Sequence, residues 1–134
     1  EEGWPYVQYR GGPPGFLKVL DDKTIGFADF RGNRQYISVG NLLGNHRISI
    51  LLMDYAKQRR LKLLGHARIV SSSEDPSLLE RLEVATYRAR VERAILIGID
   101  GYDWNCPQHI TPRYTEAEAR EKFASEHLSS NAKE

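Results

Sequence analysis

The chain holds one cysteine, Cys106, among its 134 residues. A disulfide within the chain is therefore excluded, and this usage fits a reducing, cytoplasmic setting. Long apolar runs are absent as well. None approaches the roughly 18 residues that a membrane-spanning helix needs, and no signal-peptide pattern is present. Neither sign of charge dominates: 19 basic and 18 acidic residues leave a formal net charge of +1. No global field draws the chain to nucleic acid or to an anionic membrane, so any anion site must be local. Metal-ligand patterns are thin. Cys106 and His109 stand three residues apart, but no second cysteine or histidine cluster completes a set. There is also no initiator Met. Glu1-Glu2-Gly3-Trp4-Pro5 reads as the middle of a hairpin, so a helix and a strand are expected upstream.

What is present is ordinary for a globular protein: 40% apolar and 28% charged residues, enough for one modest core. The stretch from Thr24 to Tyr55 says most. Thr24–Phe30 is a short run of strand formers in which Ile25, Phe27 and Asp29 share a face. Asp29 is either a ligand-contacting carboxylate or a turn residue. Arg31-Gly32-Asn33-Arg34 sets two guanidinium groups around a turn, which is either a phosphate seat or a solvated turn. Gln35–Asn45 supports at most a short helix, since Gly40 and Gly44 interrupt it; Ser38 and Asn41 either bond a ligand or cap local turns. Arg47–Tyr55 is apolar on both faces and predicts a central, doubly covered strand.

Upstream, Tyr6–Arg10 alternates weakly and predicts a strand. Gly11-Gly12-Pro13-Pro14-Gly15 ends it, serving as a loop or as a place for close backbone approach. Phe16–Leu20 and Thr24–Phe30 form a hairpin across Asp21-Asp22-Lys23. Downstream, Ala56–Arg60 is a basic hairpin loop. Leu61–Ser71 is the next strand, with Leu61, Leu63, Ala67 and Ile69 on one face, His66 on the other and Gly65 marking a bulge or tight bend. Asp75-Pro76 opens a helix with Leu78, Leu79 and Leu82 as its stripe. Ala94–Ile99 is a strong strand. Asp100–Arg113 reads as a loop rich in uncommon residues, either packed or functional. Thr115-Glu116-Ala117-Glu118 is a capping box that opens a helix to about His127. Short antiparallel strands with glycine bends point to a small barrel.

The segments GWPYVQYRGGPPGFLKVLDDKTIGFADFRGNRQYISVGNL, RISILLMDY, RLKLLGHARIV and DWNCPQHITPR, in that order, resemble the pyridoxamine 5'-phosphate oxidase-like family of flavin-binding split barrels. The WNCPQHI segment is similar to an uncharacterised branch of it. The resemblance implies a mainly β fold with a few helices: a six-stranded antiparallel split β-barrel, its first strand or strands truncated, with a C-terminal helix. Residues 1–113 would be the FMN-binding domain and 114–134 its terminal helix and tail. The resemblance also implies a homodimer with FMN between subunits. Arg10, with Gln8 beside it, stands nearest the strand arginine that faces the flavin phosphate. The backbone of Phe16, Leu17 and Lys18 would pass along the ring system. Ala28 and Asp29 replace a Tyr-Thr pair of the oxidase. Asn33 and Arg34 match the phosphate turn, while Gln35 replaces a lysine there. Arg60 holds the place of a hairpin glutamine that reaches the flavin. Trp104, Asn105, Gln108 and His109 would close the cleft. The oxidase's C-terminal substrate-binding segment has no match, so its reaction does not carry over.

The implied function is an FMN-dependent oxidoreductase acting by hydride transfer on a small molecule. The alternative is a flavin-binding storage, sensor or stress module without efficient turnover, and related split barrels also hold haem or deazaflavin. A nucleic-acid-binding barrel would need exposed aromatics on a basic face, and only Lys57–Lys62 is locally basic.

Overall fold

The computed structural model describes residues 4–30, 37–84 and 91–131, with side chains up to residue 124. Its elements are β1 (Lys18–Asp21), β2 (Thr24–Phe30), α1 (Ile37–Gly44), β3 (Arg47–Asp54), β4 (Arg59–Ser71), α2 (Pro76–Leu82), β5 (Val91–Asn105) and α3 (Glu116–Asn131). The five strands form one antiparallel sheet in the order β1-β2-β5-β4-β3. The fold is mainly β, as expected, with five strands among the described residues in place of six. No helix among them is long and apolar enough to cross a membrane.

The chain divides into two compact units, residues 1–49 with 63–101, and residues 50–62 with 102–134. The first unit holds the main core. Ala28 of β2, Val70 of β4, Ala94 of β5 and Leu78, Leu79 and Leu82 of α2 cluster there, with Leu20, Phe30, Val91 and Leu96 packed against them. The leucine stripe read from the sequence is thus the face that α2 buries. Asp75 caps that helix by accepting from Leu78 N at 2.9 Å, with Pro76 at its first position. At the other end Lys18 Nζ of β1 donates to the carbonyls of Arg81 and Glu83, both at 2.8 Å, satisfying groups that a helix C-terminus leaves open.

The β1–β2 hairpin turns where expected; Lys23 N donates to Asp21 Oδ1 at 2.9 Å. β2 then pairs along its length with β5, Ala28 opposite Ala94 and Asp29 opposite Arg93. On β4 the expected alternation holds from Leu61 to Ala67, with His66 outward. Gly65 marks no break in that strand. Its reason is the neighbouring backbone: a Cβ at Gly65 would lie 2.2 Å from the carbonyl oxygen of Gly98.

Three further expectations are corrected. Tyr6–Arg10 is not a strand. Val7 and Tyr9 are 91% and 90% exposed, so no buried face fixes a ladder register for the segment. Among the described strands β3 is an edge strand rather than a central one, with Ile48 and Ile50 half-buried and Leu51 60% exposed. Its apolar outer face, read as doubly covered, is open. β5 continues through Asn105, so the first third of the expected Asp100–Arg113 loop is strand. The short helix over Ile37–Gly44 and the capping box are as anticipated. Thr115 N and Oγ1 donate to Glu118 Oε2 at 2.8 and 2.7 Å, and Glu118 N returns a bond to Thr115 Oγ1.

Candidate functional site

In the first unit two of the expected site residues, Arg10 and Asp29, are paired. Asp29 is 7% exposed, the buried charged residue of the described core. Arg10 Nη1 donates to Asp29 Oδ1 at 2.6 Å, and Arg93 Nε lies 3.6 Å from Oδ2. Arg93 also pairs with Glu92 at 2.6 Å. The Arg10 guanidinium sits 6.0 Å from the centre of the Phe27 ring, within cation–π reach, and Phe16 meets Phe27 edge to face. Gln8 Oε1 accepts from Ser38 Oγ of α1. So β2 supplies Phe27 and Asp29, and the segment before the glycine-proline loop is held on the sheet by side chains. Asp29 lies within β2, paired with two arginines, rather than in a turn. It is a buried counter-ion between two arginines. Arg93 escaped the sequence reading because it sits in a charged run, and only the β2–β5 register places it opposite Asp29.

Leu17 is half-buried ahead of β1, and the Lys18 side chain is spent on the end of α2. Asn33, Arg34 and Gln35 lie outside the described residues.

In the second unit the β3–β4 hairpin is tightly specified. Asp54 accepts from Lys57 N and from Arg59 Nη2, each at 3.0 Å, and Gln58 adopts φ 51°. The Lys57 N–H bond, with Arg59 beside it, holds the Asp54 carboxyl below its ordinary range. Gln58 Nε2 donates to the carbonyl of buried Ile110 at 2.7 Å, tying the segment after β5 to the hairpin. Arg59 lies 5.9 Å from the Trp104 ring centre, Lys62 pairs with Asp103 at 2.7 Å, and Arg113 stands over Tyr55 at 5.3 Å. Trp104 and Gln108 are exposed, as are Cys106 and His109, the last with φ 64°.

Two polar atoms in this unit are withdrawn from water without a hydrogen-bond partner among the described residues: Arg60 Nε and Asn105 Oδ1. Buried donors and acceptors are nearly always satisfied, and each exception asks for an explanation. One is a donor and the other an acceptor, on the neighbouring strands β4 and β5.

No curated protein matches this sequence. Solved structures do. HupZ of Group A Streptococcus is 19% identical, covering 77% of this chain and 78% of its own, with a TM-score of 0.53. A variant of HupZ is 20% identical, covering 70% and 76%, with the same TM-score of 0.53. At that identity the likeness is one of fold. The sequence itself matches the family model for pyridoxamine 5'-phosphate oxidase across residues 1–107. With that match spanning most of its length and a split-barrel fold beneath it, the chain belongs to the pyridoxamine 5'-phosphate oxidase family.

Proposed function

We propose that this protein binds FMN and acts as a flavin-dependent oxidoreductase on a small molecule, working as a cytoplasmic homodimer. The observation that carries the reading in the fold is the Arg60 Nε–H, a buried donor with no partner among the described residues, at the position where the family pattern brings a hairpin side chain to the flavin. The donor set fits the group. FMN brings a phosphate dianion and a ring edge of carbonyl acceptors. The near-neutral chain has to meet these with local guanidinium groups. Arg10 and Arg34 would hold the phosphate, the first through the guanidinium N–H groups that Asp29 leaves open. Arg60 would set a positive charge beside the ring, favouring negative charge there. Asn105 would accept a hydrogen bond from the ligand. When bound, FMN supplies the capacity to take up and pass on a hydride. The edge position of β3 and its open Leu51 support pairing with a second copy.

The test is the absorbance of the purified protein, followed by titration with FMN. A two-banded flavin spectrum that bleaches under NADH or NADPH is expected. A flavin spectrum inert to both would leave a binding module without turnover. A colourless protein that takes up no added FMN overturns the cofactor assignment. Arg34→Ala is expected to weaken FMN binding by about tenfold to a hundredfold, the worth of one charge-assisted bond; an unchanged Kd removes Arg34 from the phosphate site.

A further inference from the structure

Asp29 is buried, charged and shared unequally. Arg93, directly across the β2–β5 ladder, already has Glu92 at 2.6 Å and reaches Asp29 only at 3.6 Å. Arg10 has the short contact, through one nitrogen, and its side chain stays 33% exposed. The segment carrying Arg10 belongs to no strand, so no ladder sets where its guanidinium points. What sets it is Asp29 below, the Phe27 ring beside it and the Ser38–Gln8 bond two residues earlier. A free arginine side chain carries much rotamer entropy, and pinning it in advance removes that cost from ligand binding.

We propose that Asp29 is a positioning residue: it grips Arg10 through Nη1 so that the remaining N–H groups of the guanidinium face the phosphate of the bound mononucleotide, and it does not itself touch the ligand. This rests on the FMN reading. The gain is in direction, not in charge. A carboxylate beside a phosphate-binding arginine weakens the local positive field, and Arg93 with Glu92 adds no net charge to offset it. An uncharged acceptor of the same shape should therefore serve as well.

The experiment compares FMN with riboflavin, which lacks the phosphate, as ligands of the purified full chain. Asp29→Ala is expected to lower FMN affinity by about tenfold or more while leaving riboflavin affinity unchanged. Asp29→Asn keeps an acceptor and is expected to bind FMN within about threefold of the parent, well short of the tenfold or more expected for Asp29→Ala. In an Arg10→Ala background, Asp29→Ala should cost nothing further, since its effect runs through Arg10. Equal losses for both flavins, or no loss for either, overturn the proposal. Should Asp29→Ala not fold, Asp29→Asn and Arg10→Ala decide it. Arg10→Ala must lose FMN alone, and Asp29→Asn must not; any other pattern overturns the positioning role. A parent protein that binds neither flavin overturns the FMN reading and this inference together, whereas a parent that binds FMN with Asp29→Ala unaffected overturns this inference alone.

Discussion

Glycine is where single atoms decide most in this chain. Gly65 and Gly98 face each other on β4 and β5, yet they are not equivalent. A methyl group at Gly65 would meet the Gly98 carbonyl oxygen at 2.2 Å, and that oxygen is backbone that cannot swing aside. A methyl group at Gly98 finds its nearest neighbour, the His66 carbonyl oxygen, at 3.9 Å, an ordinary contact. Gly65→Ala should therefore force the two strands apart and cost about 1–3 kcal/mol, the range for overpacking a close contact. Gly98→Ala should stay within about 0.5 kcal/mol of the parent. Urea unfolding of both variants checks this. Equal midpoints would mean that the strands separate without cost. The sequence showed that Gly65 was special without showing why. A glycine inside a strand pattern signals a bulge and a close approach alike, and only the neighbouring backbone tells them apart.

Among the elements, the helix caps and the β1–β2 hairpin were legible, and the pairings of strands distant in sequence were not. Asp75-Pro76 and Thr115-x-x-Glu118 announce helices through bonds made within a few residues, so the sequence carries the whole interaction. The place of β3 depends on which strand lies beside it, and an apolar run reads alike whether its outer face is covered or open. The pairing of Asp29 was hidden in the same way. Its partners are 19 residues upstream and across a ladder, at Arg10 and Arg93. The caps bring a pH dependence. The Leu78 N–H bond, then the Ser77 hydroxyl, holds Asp75 below the ordinary 3.8. A carboxyl lowered in the folded state contributes stability above its unfolded value and loses it as the pH falls through the lowered one. α2 buries Leu78, Leu79 and Leu82, so that loss should appear in global unfolding. The parent should lose stability as pH falls below 3.8, and Asp75→Asn, which keeps an acceptor but does not titrate, should lose less over the same window. Asp21, Asp54 and Glu118 are lowered by backbone N–H bonds too and keep part of the slope in either protein. Urea midpoints at neutral pH and on the acid side of 3.8 measure the difference; parallel slopes would remove the Asp75 cap from the acid response.

For the molecule as a whole, the exposed edge is the feature that asks for a partner. β3 ends the sheet with Leu51 60% exposed in the middle of the strand. Soluble proteins blunt such edges with charge, proline or a covering element, because an open ladder templates pairing with another chain. Arg47 and Asp54 charge the two ends of β3, but the strand between them carries Ile48, Ser49, Ile50, Leu51, Leu52 and Met53. A homodimer that covered this edge and the face beside it would account for the apolar outer face that reads as interior in the sequence: those residues would then be buried by a second chain instead of by this one. The expected outcome is a dimer in sedimentation velocity. Leu51→Lys should shift it to monomer, since a lysine ammonium is costly to bury in an apolar interface and costs little on an open strand. The melting temperature of the separated chain should fall only by what the lost association contributed, a difference that shrinks on dilution of the parent. If Leu51→Lys remains a dimer with unchanged dissociation, the edge of β3 is not the interface. FMN bound by that dimer at full occupancy would then show that the cofactor site needs no contribution from this edge.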